Sequence, residues 1–346
     1  MQKKEKHALL KDILFVLASM LCVLALFEGL ILFLLLNPAH LARFPQGTLD
    51  RFKDIYNRFD RVIIQMEEDF AVYDKDLFYT LKPGRFTFSN REFSTPYFVN
   101  AMGLRDSEES LVHPEVIVLG DSFAMGWGVG QQESFAEVLE KDTGFKVLNA
   151  AISSYDTARE MRLLDRLDLS RVKYVVIQYC DNDFDANESF SRNGNMLIVS
   201  DQKKYEEAKR LYAQKKRYYF GRYATKFIWR MYRDVYEKVK KRDQPGFKPA
   251  VAEQARHFLN VLSKGTSRDL SRVQLIVLDA DKNNAFLQEL EKQAKNTQYA
   301  PHIRNLKTLD LSKRWNRNHF LALDDHLSVQ GHALIATELG KIISRK

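Results

Sequence analysis

Val116-Ile117-Val118-Leu119-Gly120-Asp121-Ser122-Phe123-Ala124 is the stretch on which the fold turns. Four consecutive apolar residues, three of them β-branched, followed by a glycine mark a short strand buried on both faces and ending in a turn. The same grammar recurs downstream. Residues 146–149, 173–179, 273–278 and 306–309 read as further apolar strands, with helical patterns near 134–141, 157–167 and 330–343 between or after them. Strands alternating with helical crossovers predict an α/β fold of three layers, with a parallel sheet covered by helices on both faces. In such sheets the chemistry gathers outside the carboxyl ends of the strands.

Ser122 stands just past the first strand, where its hydroxyl and its own N–H are presented at the mouth of the sheet. The turn lacks the second glycine of a G-x-S-x-G elbow, because Ala124 stands there. Gly126, Gly128 and Gly130 follow, but neither a dinucleotide fingerprint nor a Walker lysine accompanies them, which excludes a nucleotide loop. Asn149 to Thr157 follows the second strand and Asp181-Asn182-Asp183 the third. Asp324-Asp325-His326 and Gly331-His332 lie near the C-terminus. A serine needs a base to take its proton, and the oxyanion it generates needs donors. His326 offers the base, with His332 as the reserve; an adjacent carboxylate offers its orienter and Asn182 a side-chain N–H. Asp121 reads as a residue that shapes the turn, and Asp183 as one that holds its own loop.

These ordered blocks resemble the SGNH or GDSL hydrolase family, and the resemblance covers residue 115 to the C-terminus less a long insertion. Residues 100–105 and 126–129 also look like the membrane-anchored bacterial branch of that family. The resemblance implies a three-layer, flavodoxin-like α/β/α fold. It also implies Ser122 as nucleophile, His326 as general base, and an oxyanion hole made by the Ser122 amide, the Ser154 amide and Asn182 Nδ2. Two departures stand out. Ser154 occupies what is usually a glycine, and the common D-x-x-H spacing fails because Leu323 lies three before His326. Asp324, two before, is then the orienting carboxylate, with Asp325 as the fallback.

The chain has 346 residues, 45% hydrophobic and 28% charged, with a net charge of +8, which excludes a disordered chain and a polytopic membrane protein. Residues 13–36 are apolar almost throughout and long enough, at about 36 Å, to cross a bilayer. Lys3, Lys4, Lys6 and Lys11 precede this run, so an uncleaved anchor with a cytoplasmic tail (1–11) and an extracytoplasmic body is expected. Glu28 is its anomaly: it meets a partner helix, or it sits protonated or snorkels to the outer interface. A juxtamembrane helix over 46–69 and a small β-rich preface fill residues 37–110, and the hydrolase-like domain runs over 111–346. Cys22 and Cys180 are too few for a disulfide framework and read as small buried hydrophobes; no cluster has metal spacing, so neither metal nor other cofactor is expected. Asn187-Glu188-Ser189 fits a glycosylation acceptor by chance.

The helical insertion, about 190–265, carries fifteen Lys/Arg against four Asp/Glu between residues 203 and 242, so the basic excess is local and argues against a nucleic-acid-binding face. Tyr212, Tyr219, Tyr223 and Phe227 recur at sevens and fours, which predicts one long helix with an aromatic face. Three readings stand: a cap docked on the core, a lid attracting an anionic polymer, and a basic helix resting on anionic lipid. The expected activity is that of a membrane-anchored esterase or deacylase acting on an ester, an O-acetyl group above all, of an envelope glycan or lipid. The alternatives are an O-acyltransferase modifying a polysaccharide and a non-catalytic glycan-binding assembly factor.

Overall fold

The computed structural model describes residues 2–41, 43–239, 250–279 and 284–343. Two compact units emerge. One comprises the described residues up to Arg61, those of Ala213–Pro245, and Ala322–Asp324; the other comprises Val62–Tyr212, the described residues from 250 to Leu321, and those from Asp325 onward. Residues 62–110, grouped with the juxtamembrane helix in the sequence reading, therefore lie in the same unit as the sheet.

In the first unit, α1 (Gln2–Leu36) is a single helix, of which Leu9–Leu36 is long and apolar enough to cross a membrane. The short α2 (Pro38–Leu41) leads into α3 (Gln46–Phe59). The helix expected to reach residue 69 stops at Phe59: the Asp60 N–H still donates to the Tyr56 carbonyl, but the Arg61 N–H shares that acceptor instead of continuing the ladder, and the Asp60 carboxylate is taken by Arg222 and Tyr223. Cys22 is exposed on α1, so it is no core residue, and Cys180 is only partly buried.

The second unit opens with two antiparallel hairpins, β1 (Ala71–Asp74) with β2 (Phe78–Leu81) and β3 (Gly84–Ser89) with β4 (Ser94–Val99). The parallel sheet follows: β5 (Val116–Leu119), β6 (Val147–Asn149), β7 (Tyr174–Tyr179), β8 (Gln274–Asp279) and β9 (Lys307–Leu309), in the order β6-β5-β7-β8-β9. That order is flavodoxin-like. Its first strands align Val116 with both Val147 and Tyr174, so β6, β5 and β7 start in register and their carboxyl ends share one edge of the sheet, with β7 running two residues past β5.

Alternate residues of each strand feed opposite cores. Ile117, Leu119, Val175 and Ile177 face a cluster with Met161, Phe258 and Leu290, whereas Val116, Val118 and Val176 face one with Phe135, Leu139 and Leu339. The connecting helices are the single turn α4 (Ser122–Met125), α5 (Phe135–Thr143), α6 (Thr157–Leu164) and α7 (Phe184–Arg192). They continue with α8 (Gln202–Lys216), α9 (Arg222–Val239), α10 (Val251–Lys264), α11 (Ala285–Ala294), α12 (Pro301–Arg304) and α13 (Val329–Ile343). Cluster membership puts α6, α10 and α11 on one face of the sheet and α5 with α13 on the other, which gives the three layers. Two caps follow the residue chemistry: Ser134 Oγ accepts the Glu137 N–H and Asp156 Oδ1 the Arg159 N–H.

The long helix expected across the basic insertion is instead two helices, α8 and α9, separated by a turn that ends at Gly221 with φ +83°. Residues 240–242, at the end of the basic run, lie outside the described residues.

Gly120 closes β5 at φ +152°, and a Cβ there would lie 2.6 Å from the Ala124 Cβ and 2.8 Å from Gln178 Oε1. Gly120→Ala is expected to destabilise the fold by about 2–4 kcal/mol from backbone strain and overpacking together. A lowered urea midpoint with an unchanged slope is the result that checks it.

Candidate active site

The turn after β5 is built from short-range bonds. Asp121 Oδ1 accepts the Phe123 N–H at 2.9 Å and so caps α4, while the Asp121 N–H donates to Gln178 Oε1 at 3.2 Å. Ser122 thereby opens α4, buried, with its Oγ 2.7 Å from His326 Nε2. With the imidazole proton on Nδ1, the serine hydroxyl donates to Nε2.

The His326 ring lies between two aromatic faces, Trp127 at 4.9 Å and 20° and Phe123 at 4.8 Å and 32°. Its backbone carbonyl accepts the Leu321 N–H at 2.7 Å, and an antiparallel bridge between Phe320 and Leu327 closes the loop. Trp127 is itself aimed by Arg105. That buried guanidinium donates to the carbonyls of Met125, Gly126 and Val129 and stacks 3.7 Å from the Tyr97 ring. Residues 100–105 and 126–129 are thus one clamp seen from its two ends.

Ser154 has φ +60°, the left-handed conformation that glycine adopts without strain. Its Oγ accepts from Gln65 Nε2 at 2.8 Å, so the side chain is held by the segment before β1. Asn182 is exposed in a short turn, Asp181–Asp183, directly after β7. Asp324 falls in the other unit, where its buried carboxylate accepts the Tyr56 hydroxyl and lies 3.6 Å from Arg61 Nε. Asp325 is exposed, at φ +64°.

His332, the reserve base, is buried against Phe135, accepts the Phe135 N–H at Nδ1, and is pushed down to about 3 by burial and the nearby Arg105 charge. It is a neutral packing residue. Asn187 is likewise buried, its amide donating to Thr157 Oγ1, which closes it to glycosylation. Sequence reasoning missed Gln65, Arg61 and Tyr56, whose roles depend wholly on tertiary placement. Among the described residues no His, Cys, Asp and Glu group is arranged to hold a metal.

No known family profile matches the chain, and no curated protein matches it. Solved structures do. A lipolytic protein of the G-D-S-L family from Desulfitobacterium hafniense is 14% identical over 66% of this chain and 98% of its own, at a TM-score of 0.29. A G-D-S-L lipolytic protein from Veillonella parvula is 13% identical over 67% of this chain and 98% of its own, at 0.37. A carbohydrate esterase is 13% identical over 67% and 64%, at 0.39. Similarity at this level does not assign chemistry; the local geometry has to carry it.

A buried acidic group belongs to the same strand-end loops. Asp183 Oδ2 accepts from Thr157 Oγ1 at 3.0 Å, and the carboxyl of Glu160, fully buried, has no hydrogen-bond partner among the described residues. Burial, reinforced by Asp121 and Asp156, raises both Asp183 and Glu160 well above the ordinary carboxyl range. These groups keep protons in the folded state that they lose in the unfolded one. Their contribution is complete below the unfolded values near 3.8 and 4.5 and declines as pH rises toward the folded ones. Stability should therefore fall as pH rises above about 5, by up to about 1.4 kcal/mol per pH unit for each retained proton. Glu160→Gln is expected to flatten that slope, read from urea midpoints across the range; an unchanged slope would mean that Glu160 is ionised in the fold.

Proposed function

We propose that the chain is a serine ester hydrolase of the SGNH type, working through an acyl-enzyme on Ser122. The observation that carries the reading is the 2.7 Å approach of His326 Nε2 to the Ser122 Oγ, both buried, at the carboxyl edge of a parallel sheet. In the step we propose, Oγ attacks the ester carbonyl carbon as its proton passes to Nε2. The backbone N–H groups of Ser122 and Ser154 and the Asn182 amide receive the oxyanion. Collapse of the intermediate expels an alkoxide that takes the proton from His326. Water then gives its proton to His326, attacks the acyl carbon and restores Ser122. A sugar hydroxyl in place of water would give acyl transfer instead.

The positive φ of Ser154 supports its oxyanion role, because it provides the backbone turn that a glycine would provide there. Asp324 is favoured over Asp325 as the orienting carboxylate, since it is buried and already fixed by Tyr56 whereas Asp325 is exposed. The aromatic faces on either side of the imidazole also favour the cation that forms during attack. The apolar helix with four lysines ahead of it supports a body held on the extracytoplasmic side of the cell membrane. An ester of an envelope glycan or lipid, O-acetyl first among them, is the corresponding substrate class.

A fluorophosphonate probe is expected to label the full-length chain and to lose that labelling in Ser122→Ala. Labelling that survives the substitution, or a wild type never labelled, rejects the reading. Asp324→Asn should lower turnover of an aryl acetate by on the order of 10³–10⁴, with KM little changed. Incubating an acetylated glycan with and without an acceptor sugar then distinguishes acetate release from acetyl transfer.

A further inference from the structure

The first unit holds a helix whose apolar and charged faces point the wrong way for water. Ile228, Tyr232, Val235 and Val239 recur along α9 at helical spacing, with Trp229 and Tyr236 beside them. They are 52%, 65%, 59%, 77%, 49% and 39% exposed, respectively. The charged side of the same helix turns inward, where Lys226 pairs with Asp54 at 2.9 Å and Asp234 with Arg51 at 2.9 Å, both partners being on α3. A helix on the surface of a soluble domain does the reverse.

α9 is joined directly to α1. Glu28 Oε2 accepts the Ala224 N–H at 2.7 Å and Oε1 the Tyr223 N–H at 3.4 Å, so the acid in the apolar helix caps the N-terminus of α9. Phe227 packs edge-on to Phe27 at 5.7 Å. Glu28 therefore finds backbone donors within its own chain. Counted from Ile13, just past Lys11 and Asp12, about 20 residues of α1 fill a hydrocarbon core of about 30 Å, which ends near Leu32. Glu28, and with it the first turn of α9, then falls about one turn short of the boundary where tyrosine and tryptophan side chains gather. The exposed run Tyr218, Tyr219 and Phe220 sits at the same level of the unit, because Tyr218 also donates to Glu28.

We propose that α9 is a second membrane-contacting element, lying by its exposed apolar face in the lipid leaflet reached by the C-terminal end of α1. The occupant is the bilayer itself: the face adjoins the exposed apolar surface of α1, and its Trp and Tyr suit an interfacial depth. This inference rests on α1 spanning the membrane and is independent of the chemistry at Ser122.

The test uses the full-length chain in vesicles of phosphatidylethanolamine and phosphatidylglycerol with brominated acyl chains, where bromine quenches tryptophans in contact with lipid. Quenching of the wild type, with the quenched component lost in Trp229→Phe, is the expected result. Quenching that Trp229→Phe leaves unchanged, or none at all, overturns the proposal. So does cross-linking of two copies through α9 in nanodiscs while Trp229 stays unquenched. Ile228→Asp with Val235→Asp should reduce Trp229 quenching and leave phosphonate labelling of Ser122 intact; if that variant fails to fold, the Trp229→Phe comparison still decides. Release of the wild type by alkaline carbonate would overturn the span and the proposal together.

Discussion

A hydrogen bond between residues 204 positions apart, Ser122 and His326, is the constraint around which the sheet-bearing unit is arranged. It joins two loops that nothing local would hold in register, and such a bond contributes only about 1 kcal/mol net. Each end must therefore be fixed independently. Ser122 is fixed by the left-handed turn at Gly120 and the Asp121 cap, and His326 by the Phe320–Leu327 bridge and the Trp127 and Phe123 faces. Arg105 completes the chain of support. Its three carbonyl contacts fold the Met125–Val129 loop and so place the Trp127 ring on the imidazole.

The buried carboxyls of Glu160 and Asp183 show what that arrangement costs. Several acids cluster around the start of α6 and the turn after β7, among them Asp156, Glu160 and Asp183. Burial raises Glu160 and Asp183 well above the ordinary carboxyl range, and Thr157 donates to Asp183.

The sheet was legible because buried parallel strands are written as unbroken apolar runs, so β5 to β9 lie within a residue or so of their expected bounds. Ser122 and His326 were legible as a pair because each follows a strand or turn at the edge where such sheets place chemistry, and the two are hydrogen-bonded. The supports were not. Gln65 on Ser154 and Tyr56 on Asp324 arrive from segments 89 and 268 residues away, and no local pattern encodes them. The basic insertion was misread as one helix for a specific reason: the four-and-seven aromatic spacing runs through Gly221, whose positive φ breaks the helix there. Periodicity registers which side chains recur and is blind to a single backbone torsion.

The basic segment divides its charge unevenly. On and beside α8, Lys203, Lys204, Arg210, Lys215 and Arg217 are exposed, whereas on α9 Arg222 is buried against Asp60 at 3.0 Å, Lys226 pairs with Asp54, and Arg230 and Arg233 pair with Asp234 and Glu237. What α9 leaves outward is its aromatic and aliphatic side. Glu28 obeys the same logic. A carboxyl group in an apolar helix is costly when it lacks partners, but the free N–H groups of an approaching helix N-terminus supply both donors and a favourable dipole. The two anomalies, an acid in an apolar helix and an apolar face on a basic one, therefore share one cause: α9 turns its N-terminus and the charges of Arg222, Lys226 and Asp234 into the unit, and its outward face is mostly aromatic and aliphatic.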